Sequence, residues 1–486
     1  MQKKGKPTKT SKRVKKINRE FAVVSSFFVI IFAALMIHVC YYQFFCSETV
    51  INNAYNKRPF VFADKVERGS IYSADGKVLA ETVVDGKGNE VRTYPYNEIF
   101  AHAVGYSTNG TTGIESIANF SLLRSNTSVI KKICNFFAGK KHQGDSIITT
   151  FDSSLQQIAY EAMGEYDGAV IVMDPSNGNI LAMVSKPDFN PNTILTDYDK
   201  LIGEGENGET GSALFNRATQ GSYTPGSIFK VITTIEYLRQ YSDDHSYHYA
   251  CNGEVTVQNV CIHCVNNKAH GELTLESAFA YSCNGAYSTM GLNLNIDQFN
   301  NTCRQLLFNG RLPIPYPYTE SIFELDNQSS TAAIMRASFG QHTTTVSPLH
   351  MLLITSAIAN DGVLMTPRVI DRVVNENGVL IDKYPEEAYG SLLTKQEAEY
   401  IQKYMEATVA YGTAKALKSE EYTAAGKTGS AQVSDINENT HAWFIGYAYD
   451  EDGKQIAIAV IVENRGYGST YAVPVAKKIF DVYFSK

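Results

Sequence analysis

Residues 226–241 read GSIFKVITTIEYLRQY. Pro225 and Gly226 end the stretch before, and the apolar spacing that follows predicts a helix beginning at Ser227. A serine there feels the positive end of the helix, and Lys230, one turn on, shares its face, so an amine can take the hydroxyl's proton. Alone, S-x-x-K reads equally well as an N-capping serine followed by a surface lysine. Two later motifs change the weighing. In LESAFAYSCNGAYSTMGL (275–292), Ser282, Cys283 and Asn284 fall between helical segments. Ser282 can relay a proton near Lys230, and the Asn284 amide can hold a peptide carbonyl. In YTAAGKTGSAQV (422–433), Lys427, Thr428, Gly429 and Ser430 precede the strand-like HAWFIGYAYD. A lysine and two hydroxyls on one strand edge make a carboxylate receptor, and Gly429 lets a substrate backbone approach closely. K-T-G-S lacks the upstream glycine pattern of a phosphate loop.

Outward from these motifs, the chain has 486 residues, 44% apolar and 19% charged, enough for one large or two medium domains and too apolar for a disordered chain. Eight cysteines are too few for a disulfide scaffold. The formal charge of −7 is unevenly spread: the first twenty residues hold nine Lys and Arg against only Glu20. Residues 21–45, FAVVSSFFVIIFAALMIHVCYYQFF, contain no charge and are long enough to cross a bilayer. The bulky exit YYQFF does not suit signal-peptide cleavage, so the span is expected to stay attached, with Tyr41, Tyr42, Phe44 and Phe45 at the outer interface. The basic tail, residues 1–20, orients the N-terminus to the cytoplasm, and the remainder works outside the membrane, away from nucleic acid and ATP.

The exported part is expected to be α+β. A β-rich domain, residues 57–147, carries hairpins about Asp75-Gly76 and Asp85 to Asn89 and a helix near Ser128 to Phe137, and GKKHQGDS (139–146) reads as a connector. A larger domain, residues 148–486, opens with a helix capped by Asp152 or Ser153 and two strands about a Pro175 to Gly178 turn. It closes with the strand KQIAIAVIVEN (454–464) and the helix AVPVAKKIFDVYF (472–484). Both ends are expected to pack as one antiparallel sheet flanked by helices.

Ordered S-x-x-K, S-x-N and K-T-G resemble the signature of the penicillin-binding protein and serine β-lactamase superfamily, and the chain resembles its class B penicillin-binding proteins. The likeness extends through NRATQGSYTPGSIFK, SFGQHTTTVSPLHM and HAWFIGYA, and upstream through ERGSIYSADGKVLAET and YPYNEIFAHAVGY, similar to the family's non-catalytic pedestal in a compact form. The resemblance implies a peptidoglycan D,D-transpeptidase. Ser227 attacks the D-Ala-D-Ala carbonyl of a stem peptide with Lys230 as base, giving an acyl-enzyme that a neighbouring amine resolves. Ser282 relays the proton, and the N–H groups of Ser227 and Ser430 form the oxyanion hole. Asn284, Lys427, Thr428, Gly429 and Ser430 bind substrate, and β-lactams acylate Ser227. Burial and nearby Lys427 are expected to lower the Lys230 pKa. A polytopic membrane glycosyltransferase is an implied partner. A D,D-carboxypeptidase or β-lactamase on the same fold, and a non-catalytic scaffold or β-lactam sensor, are the alternatives.

His342, Ser347 and His350 depart from the family's usual glycine, threonine and glutamine, and Cys283 occupies the middle of S-x-N. Cys251, Cys261, Cys264 and His270, spaced C-x9-C-x2-C-x5-H, offer four zinc ligands, with a disulfide or free thiols as alternatives. The serine mechanism itself needs no cofactor and no metal.

Overall fold

The computed structural model describes residues 9–42, 66–202, 213–241, 246–432 and 440–485. Phe44, Phe45 and the start of the expected pedestal at residue 57 lie outside them. Met1–Pro59 and Phe60–Lys486 form separate units. The first contains one helix, Lys9–Tyr41, whose apolar part, Arg19–Tyr41, has 23 residues. At ~1.5 Å per residue that part exceeds the ~30 Å hydrocarbon core of a bilayer. It is suited to serve as a membrane anchor.

In the second unit, Gly168–Met173, Ile180–Lys186, Thr423–Gln432, Thr440–Tyr449 and Gln455–Val462 make an antiparallel sheet. Thr423–Gln432 is one edge, and Gln455–Val462 pairs with Gly168–Met173, so the beginning and end of the domain share one sheet. Alternate residues divide between two cores, as strand geometry requires. Val170, Val172, Ile456, Ile458 and Val460 pack with Leu155, Ala159, Ile479 and Phe480, from the helices Ser153–Met163 and Gly468–Phe484. Ala169, Ile171, Met173, Ala459 and Ile461 pack on the other side with Leu349, Leu352 and Leu353. Those leucines lie on the helix Pro348–Ala359, which is buried from Pro348 through Ile358. A helix apolar all round belongs in a core, and its composition gives no outward face to recognise.

The local expectations hold. Asp152 caps the helix Ser153–Met163, accepting a hydrogen bond from Leu155 N, and Ser128 caps Val129–Phe137. Val78–Val84 pairs with Ile71–Tyr72 and with Glu90–Thr93, so the two expected hairpins share a strand. The expected connector behaves differently. His142–Gln143 pairs with Val66–Glu67, and the segment then runs into Ser146–Thr149. That strand lies between Ile71–Tyr72 and Ile370–Val374 in a six-stranded sheet. A boundary at 147/148 therefore falls inside a strand. One of its two partners, Ile370–Val374, is more than two hundred residues away, and no local pattern announces such a pairing.

The pedestal side is held by a buried carboxylate. Glu115 accepts hydrogen bonds from Arg68 Nε at 2.6 Å and Arg92 Nε at 2.7 Å, and its side chain is fully buried. Burial alone would raise its pKa, but the two guanidinium groups override it and hold the carboxyl below its usual range. This stabilisation is present above the ordinary carboxyl pKa and is lost as pH falls through the lower folded value. Removing the carboxylate leaves two buried cations. Glu115→Ala is expected to lower the unfolding free energy by about 3–5 kcal/mol in denaturant titration. A change below about 0.5 kcal/mol would contradict this reading.

Candidate active site

The nucleophile candidate sits on a turn rather than inside the helix expected from its spacing. Gly226–Phe229 is a 3-10 turn, and the α-helix begins at Lys230. In a 3-10 turn residues i and i+3 eclipse, so Ser227 and Lys230 still share a side. The turn is anchored from below. Ile228, Phe229 and Lys230 are fully buried, and the Phe229 ring packs among Phe299, Phe308 and Phe323. It is also pressed against the sheet edge. Gly226 has φ +55°, and a Cβ there would come within 2.8 Å of the Ser430 carbonyl oxygen; one on Gly429 would come within 3.1 Å of the Pro225 oxygen. Gly429 thus serves the close approach of the turn, besides any approach of a substrate. The Trp443 indole N–H donates to Thr224 O at 3.1 Å, tying the turn to the neighbouring strand.

Lys230 joins the first two motifs. Its Nζ donates to Ser282 O at 2.7 Å, Asn284 Oδ1 at 2.8 Å and Ser282 Oγ at 3.1 Å. None of these partners is a carboxylate, and burial lowers the Lys230 pKa to about 7, against the opposing influence of Cys283 and Cys264. Lys427 was expected to share in that lowering. Instead burial, then repulsion from Lys230, depresses Lys427 itself well below the ordinary lysine range.

Ser282 sits between the helices Leu275–Ala280 and Asn284–Asn293 with φ +58°, a left-handed conformation that a non-glycine residue holds only under constraint. The Asn284 amide is already engaged on both sides, accepting from Lys230 and donating to His263 O at 2.9 Å. It therefore positions Lys230 at the wall of the cleft. On the edge strand, Thr428 and Ser430 fall on one face and Lys427 on the other. Lys427 is fully buried and donates to Thr428 O at 3.1 Å, with the Phe279 ring 5.6 Å away. It is turned to the side of the strand opposite Thr428 and Ser430, with which it was expected to share one edge.

A cleft of about 1350 Å³ is lined by Ser227, Ser282, Asn284, Thr428, Gly429 and Ser430. The three motifs meet there. Thr413 also lines it, with its hydroxyl 2.5 Å from Thr428 Oγ1; nothing in the surrounding YGTAKAL distinguishes this threonine. The departures at 347 and 350 have structural accounts: Ser347 caps the central helix by accepting from His350 N, and buried His350 pairs Nε2 with Leu306 O at 2.7 Å. His342 lines the cleft with φ +74°.

The expected metal set changes by one member. Cys261 lies exposed on the hairpin strand Val260–His263, beside His263 and Glu254. Cys251, Cys264 and His270 converge instead with Cys283. Sulfur–sulfur distances are 3.7 Å from Cys264 to both Cys251 and Cys283, and Cys251 Sγ lies 3.3 Å from His270 Nδ1. The spacing C-x12-C-x5-H-x12-C was available in the sequence, hidden because Cys283 reads as the filler of S-x-N.

A half-buried serine on a rigid turn, a buried amine of lowered pKa and a strand edge facing them define a serine acyltransferase of the penicillin-binding fold. Residues 168–481 match the penicillin binding protein transpeptidase domain, and residues 68–147 match the penicillin binding protein A dimerisation domain. The chain belongs to the penicillin-binding protein transpeptidase family. It is similar to the peptidoglycan D,D-transpeptidase PbpA of Mycolicibacterium smegmatis, 28% identical over 95% of this chain and 98% of that protein. Among solved structures it is similar to the D,D-transpeptidase domain of a peptidoglycan glycosyltransferase from Eggerthella lenta, with TM-score 0.76, 28% identity, and coverage of 87% of this chain and 100% of that one. Penicillin-binding protein A of M. tuberculosis, as its ceftriaxone acyl-enzyme, gives TM-score 0.77 and 25% identity, covering 86% of this chain and 98% of that one.

The lowered Lys230 pKa has a kinetic consequence. A general base works as the free amine, so the acylation rate with a chromogenic β-lactam is expected to rise with pH through a midpoint near 7 and level off above it. A rate that stays flat to pH 9 and then rises would assign the step to an ordinary, solvated lysine.

Proposed function

We propose that this chain is a membrane-tethered peptidoglycan D,D-transpeptidase that cross-links stem peptides and is acylated by β-lactams. The observation that carries the reading is the meeting of Ser227, Ser282, Asn284 and residues 428–430 around one cleft, above the buried Lys230. In this mechanism Ser227 Oγ attacks the carbonyl of the D-Ala-D-Ala bond and its proton passes to neutral Lys230. The N–H groups of Ser227 and Ser430 receive the developing oxyanion; the contact between the Gly226 turn and the Ser430 backbone supports their placement on facing walls. Ser282, hydrogen-bonded to Lys230, returns the proton to the departing D-alanine. A neighbouring stem's amine then attacks the ester and completes the cross-link. Thr428 and Ser430 hold the terminal carboxylate, while Lys427 braces their strand from within through its hydrogen bond to Thr428 O, and Asn284 holds both Lys230 and the substrate amide.

The proposed organisation is a cytoplasmic tail 1–20, an anchor 21–45, a non-catalytic pedestal 57–147 and a catalytic domain 148–486. The basic residues before the apolar helix support a cytoplasmic N-terminus and an external catalytic domain. A polytopic membrane glycosyltransferase is the proposed partner of span and pedestal, since cross-linking acts on newly made glycan.

Fluorescent penicillin tests the chemistry. The wild-type chain is expected to give a stable covalent label, and Ser227→Ala to lower its rate of formation by about 10⁴-fold or more. Equal labelling of the variant would exclude Ser227 as nucleophile, and rapid spontaneous loss of label from the wild type would turn the reading to a β-lactamase.

A further inference from the structure

We propose that Cys251, Cys264, His270 and Cys283 form a zinc site that locks the Ser282–Asn284 segment of the active site. The four donor atoms lie within 4.8 Å of one another. Tetrahedral zinc with Zn–S of ~2.3 Å places its sulfurs ~3.8 Å apart. The two measured S···S distances are 3.7 Å, and the S···N distance of 3.3 Å fits the shorter Zn–N bond. Three thiolates and an imidazole are a closed structural donor set. All three cysteines are buried, and half-buried His270 lines the cleft together with Cys264. The start of the helix Asn284–Asn293 faces the cluster, with Ala286 N donating to Cys283 Sγ at 3.4 Å. The His270 ring is held against Tyr281, with centroids 6.0 Å apart and 14° between the planes.

The ligands lie on or beside two small two-stranded sheets and the helix that follows them. Cys251 ends the strand Tyr249–Cys251 and stands opposite Gly271 of Gly271–Leu273, next to His270, and Cys264 follows the hairpin Glu254–Val257 and Val260–His263. These small sheets are each marginal alone. One ion would join both to Cys283, whose chain neighbours are the two side chains that hold Lys230. Binding releases the thiol protons, and the ion cross-links the segment that keeps Ser282 in its left-handed conformation. The cysteines and His270 are therefore positioning residues. This inference rests on the proposed transpeptidase reading only for its kinetic arm, because metal content is measured independently of acylation.

The test uses the full chain, purified in detergent without added thiol. Elemental analysis is expected to find about one zinc per chain. Cobalt replacement is expected to give the sulfur-to-metal charge-transfer absorption of a tetrahedral thiolate site. Cys264→Ser and His270→Ala should each lose the metal, whereas Cys261→Ser should keep it. Stripping the ion with a strong chelator is expected to slow β-lactam acylation at least tenfold, with recovery on adding zinc. Absence of zinc, loss of it in Cys261→Ser, or a Cys264–Cys283 disulfide in peptide mass spectrometry would overturn the site. Zinc present with acylation unchanged after stripping would overturn its link to the active site. If Cys264→Ser does not fold, the cobalt spectrum of the wild type still decides the donor set.

Discussion

The Lys230 amine is fully buried, bound by one main-chain and two side-chain oxygens, and faces no carboxylate among those partners. Everything else at the site depends on that arrangement. An ammonium ion in such surroundings is costly, and the cost appears as a pKa lowered to about 7. The fold meets the requirement by packing the nucleophile turn on the aromatic cluster of Phe229, Phe299, Phe308 and Phe323 and pressing it against the sheet edge at Gly429. A flexible turn could not keep Ser227 at the surface and Lys230 below it.

The same constraint explains why three motifs far apart in sequence belong together. Residues 282–284 supply the oxygens that hold the amine, and the edge strand closes the cleft from the other side. Lys427 follows the logic of Lys230: its ammonium is buried, and its charge is disfavoured by burial and by its neighbour. Lys230 alone is brought near neutral pH, the regime in which a general base is most effective.

Much of this was legible in the residues. The Asp152 cap, the hairpin about Pro175 to Gly178 and the terminal strand and helix are decided within a few residues, and the structure follows them. The motif order was enough to name Ser227, Ser282, Asn284 and residues 428–430, which the fold brings to one cleft. What escaped was set by distant contacts. Ser146–Thr149 reads as the end of a linker because its partner strand, Ile370–Val374, lies far along the chain. Pro348–Ala359 shows no amphipathic face because all its sides are covered. Lys427 was expected in the wall of the cleft because a sequence does not say which side of an edge strand faces substrate. Cys283 was passed over because one motif had already accounted for it, whereas the fold puts its sulfur with those of Cys251 and Cys264.

Base chemistry at this site requires Lys230 to be neutral near pH 7. Isotope labelling of the lysine side chains, with Lys230 assigned by comparison to Lys230→Arg, lets NMR follow its Cε resonance through a pH titration of the intact protein. A midpoint near 7 is the result expected from burial among neutral oxygens. A midpoint near the ordinary lysine value of ~10.4 would mean that Lys230 carries its proton at neutral pH, and would contradict its role as the base.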